Sequence, residues 1–147
     1  MKTRFACLLA LLVASPLAAR ASDREAIEAV VREAYVDGVH ARPDAAAMRR
    51  GFHADFRMLV LRAGTLGAVT LDEWASRIEK AAAERKPDAP PPEVRAHFTS
   101  VDVTGDAAVV RLELHRNGRH AFTDYLSLYR FPEGWRIVGK TFQAHRQ

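Results

Sequence analysis

The last third of the chain constrains the fold most, because turn signals cut it into consecutive antiparallel strands. Phe122–Phe142 reads FTDYLSLYRFPEGWRIVGKTF, two β-branched and aromatic runs on either side of Pro132-Glu133-Gly134, which is the pattern of a hairpin. Asn117-Gly118 marks a second turn and Thr104-Gly105 a third. From Val94 onward the hydrophobic period alternates, so four strands are expected: about Val94–Val103, Ala107–Arg116, Arg119–Phe131 and Trp135–Phe142.

The preceding half is helical in period. Ser22-Asp23-Arg24-Glu25 reads as a capping box, a hydroxyl and a carboxylate placed to satisfy the free amides of a helix start. Ile27, Val30, Val31, Ala34 and Tyr35 then recur at helical spacing, predicting a helix with a buried stripe that runs to about Gly38. Pro43-Asp44 opens a shorter second helix ending near Gly51. Phe56–Leu61 is a strand-like run, with Gly64–Gly67 read as the turn after it. Thr70-Leu71-Asp72-Glu73 is another capping box, heading a third helix that buries Leu71, Trp74, Ile78 and Ala82. The KPDAPPP segment after it cannot continue a helix, because proline has no amide proton to donate. It is expected to be a mobile linker within one domain. Helices first and an antiparallel meander afterwards predict an α+β domain.

Residues 1–21 carry a basic start at Lys2 and Arg4, an apolar run from Phe5 to Leu17, and Ala19-Arg20-Ala21. This is the pattern of a secretory signal. The expected organisation is a signal over 1–21 and one domain over 22–147, periplasmic or secreted, with no membrane anchor after cleavage. Whole-chain charge is +4, from 22 basic and 18 acidic residues. The leading segment holds three of the basic residues and none of the acidic ones, leaving a near-neutral domain of 19 against 18. A chain so balanced, without a basic stripe, gives a nucleic-acid backbone little to hold. The one cysteine, Cys7, leaves with the signal, so the domain depends on its hydrophobic core alone.

Turn chemistry predicts a register. A two-residue Asn117-Gly118 turn pairs Arg116 with Arg119 and His115 with His120. Counting back pairs Glu113 with Phe122, Arg111 with Asp124, and Val109 with Leu126. A three-residue loop at Pro132–Gly134 sets Leu126 against Lys140. Arg111, Asp124 and Lys140 would then form one charge cluster. Val110, Leu112, Leu114, Tyr125, Tyr129, Phe131, Trp135 and Ile137 would form the core face, while a single β-bulge would exchange the faces beyond it. The charged face keeps enough apolar surface to suit a dimer interface or a second lined cavity.

With these segments in place, AIEAVVREAYVDGV, GFHADFRM, LDEWASRIEK, VDVTGDAAVVRLEL and TDYLSLYRFPEGWRIVGKTF together resemble the putative lumazine-binding family. That family lies within the nuclear transport factor 2-like superfamily, beside the SnoaL-like cyclases and ketosteroid isomerases. The resemblance covers nearly all of the mature chain. It implies a cone of three N-terminal helices on a curved, mainly antiparallel sheet, enclosing a pocket and often homodimeric. It does not imply one chemistry, since the superfamily includes isomerases, dehydratases, epoxide hydrolases and non-catalytic proteins.

Asp124 is the first candidate. A mid-strand carboxylate is disfavoured, and Arg111 or Lys140 beside it would suit either a positioned base or a structural ion pair. His53 with Asp55 lies between the second helix and the first strand; one-residue spacing favours Asp55 as a turn cap over a ring-orienting partner. His115 and His120, with Glu113, are cross-strand neighbours, but flanking Arg116 and Arg119 would repel a cation, so no metal and no cofactor is expected. His97, Thr123 and Tyr125 are expected together on the core face, with Trp74 projecting toward the same interior. The resulting expectation is an exported protein binding a small apolar or aromatic molecule at Tyr125, His97, Trp74 and His53. An acid-base enzyme using Asp124, Arg111 and Lys140, and a non-catalytic dimeric interaction module, are the alternatives.

Overall fold

The computed structural model describes residues 16–86 and 88–145, with side chains from Asp23 onward. Helix α1 (Pro16–Val30) continues directly into a π-helix over Val31–Ala41, followed by α2 (Ala45–Gly51). The strands are β1 (Phe52–Arg62), β2 (Thr65–Thr70), β3 (Val94–Thr104), β4 (Ala107–Arg116), β5 (Arg119–Phe131) and β6 (Gly134–Ala144), with α3 (Leu71–Ala83) between β2 and β3. They form one curved, unclosed sheet in the order β2-β1-β6-β5-β4-β3. Among the described residues only β1 and β6 run parallel. The α+β fold of three helices on a mainly antiparallel sheet is therefore as expected.

Several local elements differ from expectation. Helix α1 begins at Pro16, so Ser22 lies within it and is not its cap in the full-length chain. Most of the expected signal lies outside the described residues. No described helix is long and apolar enough to cross a membrane. The stretch read as a turn over Gly64–Gly67 is mostly strand: Ala63 and Gly64 make the turn at positive φ, and β2 pairs back along β1. The α3 capping box forms in full, Thr70 Oγ1 accepting from the Glu73 amide at 3.2 Å while Glu73 accepts from the Thr70 amide at 2.8 Å. Asp44 caps α2 through the amides of Ala46 and Ala47.

In β5 and β6 the register departs from simple counting at one bulge each. Asn117 and Gly118 both take positive φ, the type I′ requirement, and pair Arg116 with Arg119 and His115 with His120. Leu114 then pairs with Phe122, leaving Ala121 as an extra residue. Because side chains alternate faces, that one residue carries the rest of β5 to the other side of the sheet. Asp124 now stands opposite Leu112, Leu126 opposite Val110, and Tyr125 opposite Arg111. The core face is thus Val110, Leu112, Leu114, Asp124, Leu126, Leu128, Trp135, Ile137 and Lys140, whereas Tyr125 and Tyr129 are exposed. In β6, Leu128 pairs with Ile137 and Ser127 with Gly139, so Val138 is the second extra residue. Pro132-Glu133 is a tighter turn than the three-residue loop expected, and this bulge restores the predicted pairing of Leu126 with Lys140.

Helix α1 is fastened to the sheet at Asp23, whose carboxylate accepts from Arg130 Nη1 at 2.8 Å and Trp135 Nε1 at 3.4 Å. At the other end α2 crosses closely over the π-helix: a Cβ on Gly51 would overlap the Ala34 side chain. Overpacking of this kind costs about 1–3 kcal/mol. Gly51→Ala should lower stability by that amount in urea denaturation, whereas Gly67→Ala, which meets nothing closer than 3.9 Å, should leave the midpoint nearly unchanged.

Candidate functional site

Asp124 is fully buried in the core. Both its oxygens are engaged: Lys140 Nζ donates to Oδ1, and the Tyr35 hydroxyl donates to Oδ2 at 2.7 Å. Asp124 sits opposite Phe142 on β6, and Lys140 lies two residues before Phe142, the diagonal neighbour on the same face. Tyr35 descends from the π-helix. Lys140 also lies over two rings, 4.4 Å from the Phe142 centroid and 5.0 Å from that of Tyr35, which stabilises a buried ammonium. Burial nevertheless holds the Lys140 pKa below its ordinary value, against the opposing pull of Asp124. The Tyr35 pKa goes well above its ordinary value, by burial first and then by the nearby Asp124 charge. Tyr35 is therefore a protonated donor at any ordinary pH.

Above this cluster lies a cavity of about 190 Å³, lined by Tyr35, Val39, His40, Met58, Trp74, Phe122, Lys140 and Phe142. Asp124 is behind the wall; Lys140 and Tyr35 are the polar groups of the cluster that reach the cavity. His40 adds an imidazole whose Nε2 is buried without a partner among the described residues. Desolvation, with the positive charges of Lys140 and Arg116, lowers the His40 pKa to about 3, so the ring is neutral at physiological pH. The π-helix brings it here. In an α-helix residues five apart lie about 140° from one another, but i→i+5 hydrogen bonding widens the turn by about one residue and sets the His40 ring 4.9 Å from that of Tyr35.

The structure separates most of the other expected site residues. Lys140 and Asp124 meet, but Arg111 is on the opposite face, donating to Glu113 at 2.9 Å and Thr99 at 2.7 Å. Tyr125, expected in the lining, shares that outer face through the Ala121 bulge. His97 is exposed there too, edge-on to His115, and Thr123 also faces outward; the expected core grouping of His97, Thr123 and Tyr125 does not form. His115, His120 and His145 continue the ring stack, and Thr123 Oγ1 lies 3.1 and 3.0 Å from the Nε2 atoms of His120 and His145. Among the described residues no group of three or more potential ligands is arranged to hold a metal. His53 stacks on Phe131 away from the cavity, and its Nδ1 accepts from the Asp55 amide at 3.1 Å. Both residues lie inside β1, so the turn expected there does not form and Asp55 caps nothing. Trp74 does line the cavity.

Tyr35 and His40 were absent from the expected site. A tyrosine on a buried stripe needs a partner for its hydroxyl, and among the described residues Asp124 is the one buried acid. The need of Tyr35 for a partner was readable, but its partner depended on the Ala121 bulge that turns Asp124 inward, and the position of His40 required the π-helix.

The family model described as putative lumazine-binding matches residues 22–143. The chain belongs to the putative lumazine-binding family. Among solved structures, a nuclear transport factor 2-like protein of unknown function from Silicibacter pomeroyi is 26% identical, with 86% of this chain and 98% of that one covered and a TM-score of 0.69. A second, from Shewanella baltica, is 22% identical, with 86% and 97% covered and a TM-score of 0.71. A protein described as a putative ketosteroid isomerase, from Shewanella frigidimarina, is 18% identical, with 80% and 94% covered and a TM-score of 0.58. The last two likenesses concern the fold alone. No curated protein matches the chain.

In this family member the buried imidazole makes stability depend on pH. His40 has a folded pKa near 3, below the ~6.5 of an unfolded chain, so the unfolded state takes up the proton first as pH falls. The His40 contribution is complete above about pH 6.5 and is lost progressively toward pH 3. Urea denaturation at pH 7, 5.5 and 4.5 should show a steeper loss for wild type than for His40→Phe; parallel profiles would show that His40 is not buried neutral.

Proposed function

We propose that this chain is an exported small-molecule-binding protein whose ligand occupies the cavity above Asp124, Lys140 and Tyr35. The supporting observation is a buried ion pair beside an apolar cavity. Removing two charges from water costs several kcal/mol per ion, and well-packed apolar residues in their place are often as stable or more so. Packing alone therefore gives little reason to keep Lys140 and Asp124 among Leu112, Leu114 and Leu126, whereas a ligand touching Lys140 and Tyr35 does. Trp74, Phe122 and Phe142 supply flat apolar walls, which suit a small apolar or aromatic molecule. The signal-like pattern over 1–21 supports export. The exposed Val109, Tyr125 and Tyr129 on the outer sheet face support a homodimer joined there.

An acid-base enzyme is the second reading. The lowered pKa of Lys140 favours it, since a buried lysine nearer neutrality can exchange a proton with a bound substrate. In that case Asp124, which lies behind the cavity wall, positions Lys140 rather than touching substrate.

Native mass spectrometry of protein purified from its own host tests the binding reading. The expected spectrum is a dimer of chains beginning at Ser22, carrying a copurified small molecule. Asp124→Asn should weaken binding of that molecule by about tenfold or more, because it frees Lys140 from its anchor. A ligand-free dimer would favour the interaction module instead, and a mass retaining residues 1–21 would contradict export.

A further inference from the structure

The inner cavity is too small for an ordinary ligand by itself. Its 190 Å³ falls below the roughly 300 Å³ at the low end of small-molecule sites. Val39 and His40 also line a second, outer cleft of about 660 Å³, so these two residues form the partition between the spaces. The cleft runs between α3 and the Pro90–Pro92 strap and ends at Arg116 and Asn117. Neighbouring guanidinium groups are paired, Arg95 with Glu93 at 2.6 Å and Arg111 with Glu113 at 2.9 Å. Arg116 has no such partner among the described residues, and Arg85, the other basic residue of the cleft, donates to the Ala89 carbonyl at 3.2 Å.

Resting on the small-molecule reading above, we infer that the ligand is an amphipathic carboxylate: its apolar part fills the inner cavity, it passes His40, and its carboxylate pairs with Arg116 in the outer cleft. The inner cavity supports only the apolar half. Lys140 is the one charge in its lining and is already neutralised by Asp124, so an anion placed there would have no free counter-charge. Arg116 offers a planar pair of donors matched to a carboxylate. The unpartnered His40 Nε2 lies between the two parts and can hydrogen-bond whatever crosses the partition.

Two matched pairs of probes test this on the mature full-length domain: 2-naphthoate against 2-naphthol, and octanoate against octanol, titrated by calorimetry. The expected result is that each carboxylate binds at least tenfold tighter than its alcohol. Arg116→Met should remove that gap, and Arg116→Lys, which keeps the charge, should retain most of it. Equal affinities for acid and alcohol in the wild type, or a gap that survives Arg116→Met, would overturn the carboxylate assignment while leaving the cavity reading intact. Failure of all four probes to bind up to their solubility limits would overturn the small-molecule reading as well.

Discussion

A carboxylate without any water contact, Asp124, organises the interior of this protein. Its two oxygens tie strand β6 through Lys140 and the π-helix through Tyr35, so sheet and helical layer meet at one polar point inside an otherwise apolar core. A buried charge pair is strongly destabilising when half of it is lost. The interaction therefore demands that β5, β6 and the π-helix all be in their native places together. The cavity above it inherits its shape from the same requirement, since Tyr35 and Lys140 are both its floor and the partners of Asp124.

Much of the architecture was legible because its signals are local. Asn117-Gly118 needs two residues at positive φ and has them; Thr70 and Glu73 satisfy each other's backbone amides; the proline run ends α3. The family resemblance was legible for the same reason, in contiguous segments such as GWRIVGKTF. The pairing of Asp124 with Lys140 was also foreseen, by way of a three-residue loop that does not form. The tight turn and the Val138 bulge offset one another, so an incorrect loop length led to the correct neighbour.

What counting could not show was the face. One extra residue at Ala121 moved Asp124 to the core and carried Tyr125 outward beside Arg111. The bulge has no turn residue to announce it; the choice is made by burial, since only the shifted register puts Leu126 and Leu128 inside with Val110 and Leu112. The π-helix was hidden for a similar reason. Periodicity reads 3.6 residues per turn, and the wider winding over Val31–Ala41 becomes visible only through contacts such as the Arg42 amide donating to the Asp37 carbonyl at 2.8 Å. Both irregularities lie at the site: one delivers Asp124 to the cavity floor, the other delivers His40 to its wall.

On the proposed function, Asp124 and Lys140 are kept for what they offer the cavity and not for the stability of the core. A double-mutant cycle measured by urea denaturation tests it most directly. Asp124→Leu and Lys140→Met singly should each cost about 3–5 kcal/mol, by stranding a buried charge, while the double variant should recover to within about 1 kcal/mol of wild type or exceed it. A double variant as unstable as either single one would contradict the account, because the pair would then be holding the fold together.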